Sequence, residues 1–235
     1  MVSVWTIISY YVSLLQFFRS KYDMRKIVLT IVVMFSCILG YAQDMRSLFI
    51  AIPDSIMPLL TKVNREDFGD FLDSGMKAEV KNRFGNKSEM RKMTSDYVDL
   101  QLTSSSNVEM KLLPMKDSVK VICVVHTYSG PVADSEISFY DTTWNKLPTD
   151  RFIDIPVEDD FYNTPDVKEQ RDSLRQLRLH TDMFLKEARL SEDENTLQFI
   201  YKTSEYVDKE IAEKLEKYLL PEIVYQWRSG RFSKE

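Results

Sequence analysis

The sequence predicts an α+β fold, an antiparallel β-sheet meander with helices packed on one side. Three observations predict it. Residues 119–125 are apolar at nearly every position, as in a strand covered on both faces. Around this stretch stand short runs that alternate at period two and are joined by turn-forming residues. Before and after the runs, apolar residues recur at helical spacing.

The first 43 residues are set aside as an over-extended start plus a signal peptide. Met24-Arg25-Lys26 forms a basic n-region, residues 27–39 an apolar h-region, and Gly40-Tyr41-Ala42 a small-residue site with cleavage after Ala42. Met24 is then the natural start. A membrane hairpin is the rival reading, but each apolar run falls short of the ~20 residues a spanning helix needs. A lipoprotein would acylate Cys37, and Met34-Phe35-Ser36 is a poor lipobox. Residues 44–235 are expected to form a single α+β domain, with a division into two sub-domains near 148–165 as the alternative.

Removing the four basic and one acidic side chains of residues 1–43 from totals of 31 and 36 leaves 27 and 35, a net charge of about −8. That balance argues against nucleic acid as a partner, because neutralising phosphates takes basic clusters. Cys123 is then the sole cysteine, so no internal disulfide can form. Its place in an apolar strand predicts a packed thiol.

Element by element, residues 45–60 read as a short helix to Ala51, a break at Pro53 and Pro58, and a further helical turn. Asn64 is the expected N-cap of a helix with Phe68, Phe71 and Leu72 on its core side. Gly75 ends it, and a second helix is expected over residues 76–84, from Met76, Val80 and Phe84 four apart, stopped by Gly85-Asn86. Strands follow at 97–103 and 108–112, the latter with Val108, Met110 and Leu112 inward and Glu109 and Lys111 outward. The central hairpin comes next. Val121, Cys123 and Val125 share one face of its first strand, and Ile122 and Val124 the other. Ser129-Gly130-Pro131 makes the turn, and Ile137 and Phe139 alternate with Ser138 and Tyr140 on the return. Asp166 is expected to cap a helix to about His180 with Glu169 in a capping box. Strands at 183–190 and 196–203 flank the polar turn 191–195. Asp208 caps the last helix, stabilised by Glu210–Lys214 and Glu213–Lys217 pairs, and Ile223, Tyr225 and Trp227 alternate in a closing strand.

Several motifs carry a resemblance. Pro53-Asp54-Ser55, Asn64-Arg65, Asp70-Phe71 and Gly75-Met76-Lys77-Ala78 open it. Lys111-Leu112-Leu113-Pro114, Gly130-Pro131 with Asp134-Ser135, and Phe139-Tyr140-Asp141 before Trp144 continue it. The chain resembles an uncharacterised exported family of Bacteroidales with a domain of unknown function. The resemblance covers most of residues 44–235. It implies export from a diderm bacterium and brings no active site.

Candidate chemistry is sparse. Cys123 and His126 are three apart on one strand and point to opposite faces, so they cannot act as nucleophile and base. No other nucleophile reads as standing beside a base. Glu158-Asp159-Asp160 with Asp166 lacks the spacing of a calcium loop and is better read as solvated. Lys168, Arg171, Arg175 and Arg178 form a basic stripe on one helix face. Such a stripe can grip an anion or an acidic partner, but charged helix faces are ordinary. Asp134, Ser135 and Asp141 form a polar cluster at one end of the sheet, where turn formation outweighs acid-base use. Trp144 and Trp227 are candidate contact aromatics.

The functional expectation is an exported protein, periplasmic or outer-membrane associated, without cofactor. It is read as a non-catalytic module binding a protein or envelope component. The alternative is a carboxylate-based hydrolase acting on envelope or glycan material. Exposed aromatics on a shallow face would favour the binder, and a cleft with two converging carboxylates the enzyme.

Overall fold

In the computed structural model, residues 44–235 are described. The start site, signal peptide, cleavage point and Cys37 lie outside them. The seven-stranded antiparallel sheet at the centre follows chain order: β1 (Glu79–Lys81), β2 (Lys87–Met93), β3 (Tyr97–Thr103), β4 (Ser106–Pro114), β5 (Lys120–Ser129), β6 (Ala133–Asp141) and β7 (Lys146–Leu147). A second, four-stranded antiparallel sheet has the order β11-β10-β9-β8, built from β8 (Lys186–Leu190), β9 (Thr196–Tyr201), β10 (Ile223–Arg228) and β11 (Arg231–Lys234). The helices are α1 (Met45–Ile50), α2 (Lys62–Asp73), α3 (Lys168–Arg178) and α4 (Lys209–Leu215). This is an α+β fold with an antiparallel meander.

β5 earns its central place by being apolar on both sides. Val121, Cys123 and Val125 join a core with Phe139, Phe199 and Trp227, which is the space between the two sheets. Ile122 joins the opposite core with Leu48, Phe49, Phe68 and Trp144, beneath α1 and α2. Each fully buried aliphatic side chain here contributes on the order of 1.5–3 kcal/mol of transfer free energy. The expectation of helices on one side describes α1 and α2. Leu174 of α3 and Leu215 of α4 belong to the other core, with the second sheet.

Several motif residues hold the helical layer together. Arg65 is 3% exposed. Its guanidinium donates to the carbonyls of Leu60 (2.7 Å) and Ile50 (3.2 Å) and to Asp54 Oδ1 (3.3 Å). Asp54 also pairs with Arg83. A buried guanidinium is tolerated because its donors are occupied.

Local readings differ in several places. No helix occupies residues 76–84. Of the three residues at four-residue spacing, only Val80 is buried, while Met76 and Phe84 are 53% and 77% exposed. β1 pairs with β2 there, and Gly85, at φ +78°, makes the hairpin turn. Strand β2 reads as polar in sequence, yet its Ser88 and Met90 point inward. Ser88 Oγ donates to the Leu102 carbonyl at 2.6 Å, which makes its burial affordable.

The cap of α2 is Thr61, with Asn64 closing the box from the third helical position. The N-cap of α3 is Val167, without a side-chain bond, in place of Asp166. At the other end of the chain, Glu210 pairs with Lys214 at 2.6 Å, whereas Glu213 faces Lys209. Finally, β8 starts at Lys186, and β10 is followed by a further strand, β11.

Candidate functional site: a polar cleft between the sheets

β8 is an edge strand, and its open edge is turned onto the large sheet. Three of its backbone N–H groups are met by side chains from that sheet. Lys186 donates to Asp134 Oδ1 (3.3 Å), Ala188 to Ser135 Oγ (2.9 Å) and Leu190 to Glu109 Oε2 (2.8 Å). An unpaired edge is thus satisfied by polar groups that alternation delivers at every second residue. Ser135 is secured in turn by Thr127, Oγ to Oγ at 2.8 Å.

Beside this joint lies a cleft of about 330 Å³ between β8 and the ends of β3, β4 and β5 nearest the Ser104-Ser105 turn. Asp99 and Gln101 of β3 and Asn107 and Glu109 of β4 line one wall, and residues 187–189 the other. Asp99 is paired directly with Glu109, and Gln101 with Asn107. Two arginines reach the cleft. Arg91 donates to Gln101 Oε1 (2.8 Å), and Arg189 pairs with Glu187 (2.8 Å).

The charges in the cleft are unevenly settled. Burial pushes the Glu109 carboxyl up to about 7. The Leu190 N–H works against burial, the nearby Asp99 charge reinforces it, and the Tyr97 hydroxyl, 3.2 Å from Oε1, again opposes it. The Tyr97 hydroxyl is pushed far up by its own burial and by Glu109. Asp99 and Asn107 differ from their neighbours. Each has one side-chain oxygen closed off from solvent, and neither oxygen has a hydrogen-bond partner among the described residues.

The structure separates the residues singled out in the sequence. Asp134 and Ser135 come together with Glu109 along β8. Asp141 does not join them. Burial raises its carboxyl, but hydrogen bonds from Asn145 and Thr143 outweigh that and bring it down to about 2, so it organises the β6–β7 turn. Trp144 is buried, and its Nε1 donates to the Leu48 carbonyl at 3.0 Å. Trp227 is buried too, with Nε1 on the Pro114 carbonyl at 2.7 Å. Neither offers an exposed aromatic face.

The basic stripe lies on α3, among contacts of its own. Arg171 donates to the carbonyls of Asp166 (2.6 Å) and Pro165 (3.2 Å), tying down the helix start. Arg178 pairs with Asp159 (2.6 Å) and Glu158 (3.4 Å) over the ring of Tyr162. Lys168 and Arg175 are exposed. The acidic loop is accordingly engaged. Glu158 also accepts from the Tyr201 hydroxyl (3.2 Å), and Asp160 accepts from the Val157 N–H (2.8 Å). Among the described residues no group of three ligating side chains could hold a metal ion.

Cys123 is fully buried, and burial pushes its thiol far up. A serine does stand beside His126, contrary to the sequence reading. Ser106 Oγ is 2.8 Å from Nε2, and the Tyr128 hydroxyl is 3.0 Å from Nδ1. The two residues are twenty apart in sequence and are brought together by the β4–β5 register. Burial holds the imidazole below its usual range. The pair straddles two sites. Ser106 lines the polar cleft, while His126 lines an apolar pocket of about 190 Å³ with Met57, Met110 and Tyr140.

The sequence reading missed Asp99, Asn107 and Glu109. It placed Glu109 and Lys111 outward, yet Lys111 is 1% exposed, held by Asp96 (2.9 Å) and the Glu192 carbonyl (2.7 Å). One signal was available. A strand apolar on both faces, β5, demands cover on both, so its neighbour β4 could not present either face to water.

Fold and cleft define a two-sheet α+β protein whose polar groups gather where an edge strand meets the larger sheet. Residues 38–232 match the family described as protein of unknown function (DUF3256), and the chain belongs to that family. A solved domain of an uncharacterized protein from Porphyromonas gingivalis W83 is similar, at 30% identity and a TM-score of 0.71. The match covers 81% of this chain and 97% of that one. No curated protein matches the chain.

Proposed function

We propose that this protein is an exported, envelope-associated module that binds a ligand non-catalytically in the cleft between β3–β5 and β8. One observation carries the reading: a polar cleft is lined by Asp99 and Asn107, each of which also keeps a buried side-chain oxygen without a hydrogen-bond partner among the described residues. A protein that only needed to fold would gain by pairing or replacing them, since an unmet buried acceptor costs about 1–3 kcal/mol. The n-region, apolar run and small-residue site before Gln43 support export. Isotope-labelled protein titrated with solubilised envelope fractions should show amide shifts around Ser104, Asn107 and Glu187. Shifts confined to α3, or none, would refute the cleft as the site. N-terminal sequencing of the native protein should begin at Gln43.

The hydrolase alternative has one observation in its favour, the pairing of Asp99 with a Glu109 carboxyl at about 7. Against it, both Glu109 oxygens are already engaged, by Leu190 and Tyr97. Release of reducing ends from envelope glycans, abolished by Glu109→Gln, would establish the enzyme and overturn the binding module.

A further inference from the structure

We infer that the apolar pocket of about 190 Å³ on the helix side of the large sheet is a second binding site, which takes a small uncharged ring carrying one hydroxyl, held by Ser138. It opens on the opposite face of the sheet from the polar cleft and stands independently of the reading given to that cleft.

The argument begins with packing. Val124 of β5 lies against the core beneath α1 and α2, and its cross-strand partner Ser138 of β6 shares that face. The helical layer covers this end of the sheet incompletely. Ile56, Leu59, Val124 and Tyr140 are only partly buried against the core, and all four line the pocket. Leu102, Val108 and Met110 are buried and give it an apolar floor. His126 closes one side. Both of its ring nitrogens are engaged, by Ser106 and by Tyr128, and burial holds the imidazole below its usual range, so it presents a fixed, neutral ring. A concave, mostly apolar and pre-formed site with few polar groups is the form that small-ligand sites take.

The second step is the hydroxyl. Ser138 is 8% exposed and lines the pocket. Its hydroxyl makes no hydrogen bond among the described residues, yet its oxygen stays open to the pocket, unlike the closed-off oxygens of Asp99 and Asn107. The buried hydroxyls of Ser88, Thr127 and Ser135 each have a partner. An unmet polar group among aliphatic walls is costly, and a water at that place would find few further partners. A ligand with an apolar body and one hydroxyl meets both needs, because serine can donate or accept.

The third step is size and charge. A cavity of about 150 Å³ holds benzene, so this pocket suits a ring with one substituent. The rings of Tyr140 and His126 favour an aromatic body over a plain alkyl chain. The only charged groups in the lining are Lys146 and Glu136, of opposite sign and both exposed. They stand at the two ends of the β6 wall, opposite Tyr140 and His126, with Ser138 between. A carboxylate or an ammonium lodged beside Ser138 would lose its water without gaining a counter-charge. The chemistry that fits is that of a phenol.

The test uses the full protein with phenol as probe and toluene, benzoate and benzylamine as comparison ligands, followed by amide shifts and calorimetry. Phenol should shift the amides of Met57, Leu59, Val124 and Ser138 and leave the 104–107 region of the cleft unmoved. Ser138→Ala should weaken phenol roughly 3- to 10-fold, the net worth of one hydrogen bond, and leave toluene unchanged. That pairing cancels the different costs of taking phenol and toluene out of water. Val124→Phe fills the pocket and should abolish both. Thermal melts check that the variants are folded, and Ser138→Ala removes no hydrogen bond that would unfold it. A folded Ser138→Ala protein that binds phenol as tightly as wild type overturns the inference. So does a folded Val124→Phe protein that still binds, phenol shifts confined to the cleft, or benzoate or benzylamine binding as tightly as phenol. If neither phenol nor toluene binds, the pocket is not a ligand site.

Discussion

Glu109→Gln should make the protein more stable at alkaline pH and remove part of its pH dependence. Glu109 faces Asp99, the Tyr97 hydroxyl, the Leu190 N–H and the charge of Arg189, in the joint between the two sheets. Its carboxyl moves from 4.5 to about 7 on folding. The folded state therefore holds a proton, between those values, that the unfolded state has released. The sign follows from linkage: stability falls as pH rises from about 4.5 to 7, and the penalty is complete above 7. A shift of that size corresponds to at most about 3 kcal/mol, and roughly 1–3 kcal/mol once water entering from the cleft is allowed for. Glutamine keeps an acceptor for Leu190 or Tyr97 but cannot ionise. Urea denaturation of both proteins at pH 5, 6, 7 and 8 measures the effect. Relative to wild type, the variant should gain ~1–3 kcal/mol between pH 5 and pH 8. Taking the difference cancels the titration of other groups. A difference that stays constant with pH would show that Glu109 is ionised and content where it sits, and would refute the account of the joint.

Three further outcomes follow from the same packing. Ile122→Ala, deep beneath α1 and α2, should cost on the order of 2–5 kcal/mol in urea denaturation, whereas Arg175→Gln on α3 should change stability by less than about 0.5 kcal/mol. Equal effects would mean that β5 is not the centre of the fold. Ser135→Ala leaves the Ala188 N–H of the β8 edge without its acceptor and should cost about 1–3 kcal/mol, with faster hydrogen exchange at Ala188. Unchanged exchange there would argue against the edge cap. Cys123 should resist thiol reagents in the native state and react rapidly in denaturant, and fast native labelling would contradict its burial between the sheets.

Much of the fold was legible in the chain because the signals were local. The two-faced apolar run of β5 announced a central strand with cover on both sides. Alternation in β3, β4 and β6 set out the meander, and Ile223, Tyr225 and Trp227 marked β10. Where the local signal was thin, it misled. Met76, Val80 and Phe84 kept helical spacing without a buried stripe, and the polar strand β2 showed too few apolar positions to register. The candidate site was hidden for a different reason. Period-two alternation tells which residues share a face, but it is silent about what covers that face. Glu109 and Lys111 looked solvent-facing because their neighbours Val108, Met110 and Leu112 supplied the apolar side. The groups that cover them, the Leu190 N–H and the Glu192 carbonyl, stand 81 residues further along the chain. Only the packing of the second sheet's edge onto the first decided that these polar side chains would be buried, that one carboxyl would be pushed toward neutrality, and that Asp99 would be left facing a cleft without a partner.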